Sequence, residues 1–405
     1  MISPKGASQE TRTGLKAVAS SDAKVQTSCK QNLRKKVTLV DSDRRGLLIR
    51  LIRIARALVR NDCDVKILEW DRTGARPRVE HIEECEVHNC RLKPLSSKAW
   101  ALVPYYFIWW FYVVLFLLRD DSDLYHTENL YNLVPCILIK IIKRKKIVYD
   151  LIDFVADSFK WPELIRRFLA GLENFCLRFA DGVIVVDARK QQLNMSNVKK
   201  FAVVANCSVD LKGKFEDQKE QDEFIVYYGG WISETRGLRH ICKVIKDLEG
   251  VKLVIAGFGP DEAKVRVDFG SQENIEFKGL LSDVESLKWT SKADVIFAFY
   301  DPKIRINRLA SPAKLYDAMM CGKPVLVNSE ALPVAQTVKE ENCGLIIPYG
   351  DIQGIKAAIQ KLKEDVNLRM NMGRNGRKAF EREYNWTEME ARLLKLYDEI
   401  RLARD

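Results

Sequence analysis

The stretch Asn307-Arg308-Leu309-Ala310-Ser311-Pro312-Ala313-Lys314-Leu315-Tyr316-Asp317-Ala318-Met319-Met320-Cys321-Gly322-Lys323-Pro324-Val325-Leu326-Val327-Asn328 decides how this chain is read. Ser311-Pro312 has the chemistry of a helix start. A serine hydroxyl accepts from the first free amides, and proline tolerates the first helical position, where its missing N–H would go unpaired anyway. Cys321-Gly322-Lys323-Pro324 ends that helix, and Val325-Leu326-Val327 reads as a buried strand. A helix start carries free N–H groups and partial positive charge, and Arg305, Arg308 and Lys314 crowd around this one, which together describe a phosphate seat. Asp317 follows within two turns, an acceptor-only carboxylate suited to two adjacent sugar hydroxyls. Taken alone, the same residues also fit an ordinary capped helix with a solvated basic rim.

Outward from this stretch, apolar strands alternate with helices. From Phe224 the strands are expected at 224–228, 251–256, 274–277, 294–299, 324–327 and 345–347, which makes a doubly wound parallel sheet. Glycine-rich turns follow two of them, Gly229-Gly230 and Gly257-Phe258-Gly259-Pro260, and Phe277-Lys278-Gly279-Leu280 marks a third. Glycine after a parallel strand lets a ligand approach the backbone, although a single Gly-x-Gly is most often a plain tight turn. The part before residue 211 alternates in the same way, with strands near 37–40, 65–68, 123–126, 146–150, 182–186 and 202–205. Loops at the strand ends then bring His126, Glu128, Asp150, Asp153 and Asn206 to one rim. The expected organisation is therefore a tail over 1–35, a first α/β domain over 36–210, a polar linker over 211–223, a second domain over 224–385, and a terminal helix over 386–405 that crosses back to the first.

At 405 residues, with 47% hydrophobic and 30% charged residues, the chain has ample length for two cores. The net charge of +11 would suit a nucleic-acid binder, but eight basic residues against two acidic ones lie in residues 1–36, a Ser- and Lys-rich stretch that reads as a disordered tail. Ten cysteines lack metal or redox spacing and suit a reducing compartment, and the four histidines never pair at ligand spacing, so no metal is expected. Twenty uncharged residues between Lys98 and Arg119 include eight tyrosines, tryptophans and phenylalanines before Val113. Pro104 and the aromatic content argue for a helix near 99–118 packed on the sheet, with one aromatic side at a bilayer interface, rather than for a membrane span. Arg50, Arg53, Arg56 and Arg60 recur on one helix face, which is either plainly solvated or attracts anionic lipid.

The ordered set Gly-Gly-x5-Arg-Gly at 229–237, Ala-Gly-x-Gly-Pro at 256–260, Phe-x-Gly at 277–279, Ser-Pro-x-Lys-Leu-Tyr-Asp-Ala-Met-x-Cys-Gly-Lys-Pro-Val at 311–325 and Asn385-Trp386 resembles the retaining GT-B glycosyltransferases of the family-4 type. The resemblance implies two doubly wound Rossmann-like domains facing each other across a cleft. It also implies sugar transfer from a UDP- or GDP-linked nucleotide-sugar, with no cofactor and no metal. The aromatic run and the basic helix face add the expectation of a glycan, polyprenyl-linked or lipid acceptor at the cytoplasmic face of a membrane. Carried over by position, Asp317 stands for the carboxylate that holds the donor ribose, and Arg236 for the cation on the diphosphate. Gly257, Phe258, Gly259 and Pro260, with Gly279 and Leu280, stand for the base-contacting backbone. Gly230 precedes the diphosphate loop, and Ser311, Pro312, Ala313, Lys314 and Leu315 form the helix start. Arg236, Lys314 and Asp153 are then the expected catalytic residues, and His126, Glu128, Asp150 and Asp153 face the acceptor. Three positions depart from the pattern: Leu309 replaces the first glutamate of Glu-x7-Glu, Trp231 replaces an arginine, and Ile152 stands near a missing histidine. Arg305, Arg308 or Lys314 is expected to compensate for Trp231. A catalytically inactive GT-B-like binding subunit at the membrane is the alternative.

Overall fold

The computed structural model describes residues 35–42, 49–96, 99–158, 161–187, 195–211 and 223–402. Residues 1–34 of the expected tail and 212–222 of the expected linker lie outside these residues, and Lys35 already belongs to the first strand.

Two sheets carry the fold. The first holds β1 (Lys35–Asp41), β2 (Cys63–Asp71), β3 (Val79–Ile82), β4 (Cys85–Arg91), β5 (Leu124–Glu128), β6 (Lys146–Leu151), β7 (Gly182–Val185) and β8 (Phe201–Val203) in the order β3-β4-β2-β1-β5-β6-β7-β8. The second holds β9 (Phe224–Gly229), β10 (Val251–Ala256), β11 (Ile275–Gly279), β12 (Val295–Ala298), β13 (Val325–Asn328) and β14 (Gly344–Ile347) in the order β11-β10-β9-β12-β13-β14. Every pairing is parallel except β3 with β4. Strands covered by helices on both faces need apolar side chains on both, and the central ones comply: Val295, Ile296, Phe297 and Ala298 of β12 are all buried. In each sheet the order reverses beside the first strand, at β1/β5 and at β9/β12. A ligand crevice forms at such switch points.

Three features differ from the expectations. The β3–β4 hairpin was not anticipated, because β3 (Val-Glu-His-Ile) is a short, charged edge strand without an apolar run. Pro104 does not interrupt the aromatic helix, which runs over Ala99–Arg119 and buries Leu102, Trp109, Val113 and Leu117 while leaving Phe107, Ile108 and Phe111 exposed. Its 101–119 stretch is long and apolar enough to cross a membrane. The basic face of the Ile49–Arg60 helix is neither free nor simply solvated. Arg50 pairs with Asp150, Arg53 donates to the Cys207 carbonyl at 2.6 Å, Arg56 pairs with Glu83 and Arg60 with Glu390. Arg50 and Arg53 are thus engaged inside the protein, while Arg56 and Arg60 are exposed and paired with acids at the surface.

The Arg50–Asp150 pair ties the first domain together. Nε and Nη2 of Arg50 donate to the two carboxylate oxygens at 2.8 and 2.9 Å, and Nη1 donates to the Val204 carbonyl at 2.8 Å. Burial pushes the Asp150 carboxyl up, but Arg50 and His126 outweigh it and hold the group below its ordinary value. His126 also bonds through Nδ1 to the Tyr397 hydroxyl at 2.8 Å, which seats the terminal helix Trp386–Leu402 over β5. The Met389 sulfur of the same helix accepts from the Ala205 amide. Removing one member of a buried pair strands the other charge, so Arg50→Ala should cost about 3–5 kcal/mol. Urea unfolding measures this, and a loss under about 1 kcal/mol would contradict the assignment.

Candidate active site

A cavity of about 630 Å³ opens where the strands β6, β9, β10 and β12 end, bounded by Asp153 and Asn206 on one side and by Gly230, Arg236, Gly257, Lys314 and Asp317 on the other. Backbone approach shapes its floor. Gly257 has φ +128°, and a Cβ there would sit 1.8 Å from the Gly230 carbonyl oxygen, so only glycine lets the turns after β9 and β10 touch. The Gly230 amide donates to the Ala256 carbonyl at 2.9 Å, closing the two turns into one surface.

Two cations share an aromatic wall above this floor. The Arg236 guanidinium lies 4.6 Å from the Tyr300 ring centroid, and its Nη1 donates to Asn307 Oδ1 at 3.0 Å. Lys314 Nζ lies 3.9 Å from the Tyr228 ring and 6.0 Å from Tyr300. Burial, with Arg236 adding repulsion, brings the Lys314 ammonium down to about 7. Lys314 sits at the start of the helix Ala313–Met320, and no side chain caps that start. Ser311 was expected to cap it; instead its hydroxyl pairs with the Tyr316 hydroxyl at 3.0 Å, and Pro312 takes the cap position. The first amides are thus left to the cavity side, where Ala313 and Lys314 line the wall.

Asp317, one turn on, is gripped from the other domain. Ser208 Oγ donates to its Oδ1 at 2.7 Å, and Arg53 Nη2 reaches Ser208 Oγ at 3.4 Å. Burial raises the Asp317 carboxyl to about 6, against the opposing pull of Ser208 and Arg53.

The expected site residues divide cleanly. Asp153, Gly230, Arg236, Gly257, Phe258, Leu280, Ser311, Pro312, Ala313, Lys314 and Asp317 line the cavity. Gly259, Pro260, Gly279 and Leu315 do not: Gly259 backs onto Ile232, Gly279 accepts from the Gly257 amide at 2.7 Å, and Leu315 faces the core. The rim reading of His126, Glu128 and Asp150 is corrected, since all three are buried beneath the rim and none lines the cavity. Arg305 and Arg308 are likewise outside it: Arg305 faces Glu163 at 3.7 Å, and Arg308 donates to the Pro302 carbonyl at 2.7 Å. Lys314 alone of the three remains to offset Trp231, which instead packs edge-to-face on Phe258, 5.1 Å between centroids. Ser208, Arg53, Asn307, Tyr228 and Tyr300 were missed. An isolated serine after a strand, or a tyrosine inside one, carries no signal of its own.

Residues 211–379 match the family described as "Glycosyl transferases group 1", and residues 45–193 match the "Glycosyl transferase 4-like domain". The chain belongs to the GT-B glycosyltransferases of this group. It is 21% identical over 358 residues to the uncharacterized glycosyltransferase MJ1069 of Methanocaldococcus jannaschii, covering 80% of this chain and 88% of that one. It is also 22% identical over 289 residues to the capsular polysaccharide biosynthesis glycosyltransferase CapM of Staphylococcus aureus, covering 64% and 73%. The lipopolysaccharide core biosynthesis glycosyltransferase LpsD of Rhizobium meliloti aligns at 21% identity over 45% of this chain and about half of its own length, 51%. Among solved structures, sucrose-phosphate synthase from Thermosynechococcus elongatus superposes with a TM-score of 0.74 at 19% identity, over 92% of this chain and 100% of that one. The lipopolysaccharide glycosyltransferase WaaG superposes with 0.65 at 15%, over 91% and 100%. These structural likenesses establish the fold.

The electrostatics set a pH window for anion binding. A nucleoside diphosphate bound between Lys314 and Arg236 raises the Lys314 pKa, so above pH 7 binding must take up a proton, and affinity falls as pH climbs through the free value of about 7. Calorimetry of UDP and GDP at pH 7 and pH 9, in buffers of different ionisation enthalpy, should show weaker binding and proton uptake at the higher pH. Lys314→Met should remove both effects, and pH-independent affinity in the unaltered protein would refute the coupling.

Proposed function

We propose that this chain transfers a sugar, with retention and without a metal, from a UDP- or GDP-sugar to a glycan or lipid-linked acceptor at the cytoplasmic face of a membrane. The observation that carries the reading is the convergence of Arg236, Lys314, an uncapped helix start and Asp317 on one cavity. Cleaving the anomeric bond leaves a nucleoside diphosphate with added negative charge. Two preplaced cations and two free amides stabilise that charge as it develops, with little reorganisation. Asp317 accepts from the ribose hydroxyls, and Asp153, on the opposite wall, stands at the acceptor side of the reacting carbon. The loops holding Gly257, Phe258 and Leu280 receive the base.

The names of LpsD and CapM, which refer to lipopolysaccharide core and capsular polysaccharide biosynthesis, support a cell-surface glycan or its lipid-linked precursor as acceptor. The half-exposed aromatic helix Ala99–Arg119 supports peripheral membrane contact. The inactive-subunit reading is favoured by two departures: Leu309 stands in place of the first glutamate of Glu-x7-Glu, and Trp231 lines the wall where an arginine of the leaving-group clamp is expected.

Release of nucleoside diphosphate from a panel of UDP- and GDP-sugars separates the two readings, and absence of release with every donor would favour the inactive subunit. Losing one charge-stabilising group costs about 2.7–4 kcal/mol in the barrier, so Arg236→Ala and Lys314→Ala should each lower kcat by roughly a hundredfold or more. Rates near wild type in both would remove the proposed clamp.

A further inference from the structure

A second cavity, of about 520 Å³, lies on the first domain at the ends of β2 and β4, shares no lining residue with the donor cavity, and is lined by the Thr73-Gly74-Ala75 turn with Arg78, Arg91 and Lys93. The acids around it are already engaged. Asp71 accepts from the Thr73 and Arg76 amides and from the Thr73 hydroxyl, while Glu69 and Glu80 both pair with Arg76. Among the described residues no carboxylate pairs with Arg78, Arg91 or Lys93. Arg91 is pinned in place, since its Nε and Nη2 donate to the Gly74 carbonyl at 3.0 and 2.7 Å, and Arg78 and Lys93 are exposed. Three uncompensated cations around an open turn are complementary to phosphate oxygens.

The pocket adjoins a strongly apolar surface. Half of the large hydrophobic side chains exposed among the described residues lie on three helices, Ala99–Arg119, Leu130–Lys143 and Glu163–Cys176. These helices are neighbours, and their exposed side chains include Phe107, Phe111, Ile141, Ile142, Leu164 and Phe168. The segment carrying Lys93 leads into the first of them: the Leu95 amide donates to the Tyr105 hydroxyl at 3.1 Å, and Arg78 bears electrostatically on Tyr112. At the other edge, Glu163 opens the third helix and faces Arg305, two residues before the cavity-lining Asn307. The apolar face therefore runs from the cationic pocket to the mouth of the donor cleft.

We propose that the Arg78–Arg91–Lys93 pocket binds the phosphate of a membrane lipid, and that the three-helix face beside it rests on an anionic bilayer. Charge selects this occupant. A second copy of the chain would bring the same cations to the contact, whereas an anionic bilayer offers apolar and phosphate chemistry side by side. The surface deepens the reading of a membrane-borne acceptor, which it would present at the cleft mouth.

Vesicle flotation tests the assignment without needing turnover, so its result stands apart from any assay of sugar transfer. The full chain is floated with phosphatidylcholine vesicles, and with phosphatidylcholine–phosphatidylglycerol vesicles. It should partition to the mixed vesicles, and Arg78→Ala/Arg91→Ala/Lys93→Ala should lower that partitioning on the order of a hundredfold, from about fivefold per basic residue. Arg91 supports the turn, so Arg78→Ala/Lys93→Ala serves as the variant that leaves the Gly74 contact intact, with a loss of about twentyfold. A thermal shift with UDP, unchanged from the parent protein, shows that each variant is folded. Flotation of either variant at the parent level, or equal binding of the parent to neutral vesicles, overturns the phosphate pocket. Failure to bind any vesicle while inorganic phosphate stabilises the parent but not the variants assigns the pocket to free phosphate and overturns the lipid. Sedimentation as a dimer that Phe107→Ser/Phe111→Ser dissolves assigns the face to a second copy.

Discussion

Lys314 and Arg236 are like charges held against the same aromatic wall, with Tyr300 within 6.0 Å of one and 4.6 Å of the other. Both side chains are partly buried, and the arrangement persists because the surrounding fold imposes it. Gly230 and Gly257 bring two turns into contact beneath Lys314, Asn307 fixes one face of Arg236, and Tyr228 lies under the ammonium. An anion placed between the two cations would relieve their repulsion, which is the physical basis of the proposed diphosphate site.

The two domains share the site rather than merely facing it. Asp317 belongs to the second domain but is held by Ser208 of the first, and Arg53 anchors that segment through the Cys207 carbonyl. Arg377 reaches from the second domain to Asp210 and to the Met320 carbonyl, at the end of the same helix that Lys314 begins. The terminal helix adds a strap, with the Trp386 amide donating to the Ser208 carbonyl and the Tyr397 hydroxyl meeting His126. The polar network beneath the first domain's rim, centred on Arg50 and Asp150, supports this strap instead of contacting an acceptor.

The parallel sheets were legible because strands covered on both faces read as unbroken apolar runs, as in Val325-Leu326-Val327. The glycine turns and Asp317 were legible because their spacing to strand ends and to the helix start is local. What escaped the sequence depends on partners far along the chain. Arg50 and Asp150 are 100 residues apart, and Ser208 and Asp317 are 109 apart, so an arginine stripe reads as a surface face although its guanidiniums are engaged. His126, Glu128 and Asp150 stand near strand ends as expected. The sequence could not show that the terminal helix covers His126 or that Arg50 neutralises Asp150. At Ser311 the competing partner was a tyrosine hydroxyl one turn ahead, which captured the side chain that helix-start chemistry assigns to an amide.

In the proposed function, the Ala313–Met320 helix start receives the diphosphate of the donor together with Lys314 and Arg236. A crystal structure of the protein with bound nucleoside diphosphate tests it most directly. The terminal phosphate is expected within hydrogen-bonding distance of Lys314 Nζ and of the Ala313 or Lys314 amide, with the ribose hydroxyls at Asp317. A diphosphate lodged elsewhere, with Lys314 still turned to Tyr228 and Asp317 still held only by Ser208, would contradict it.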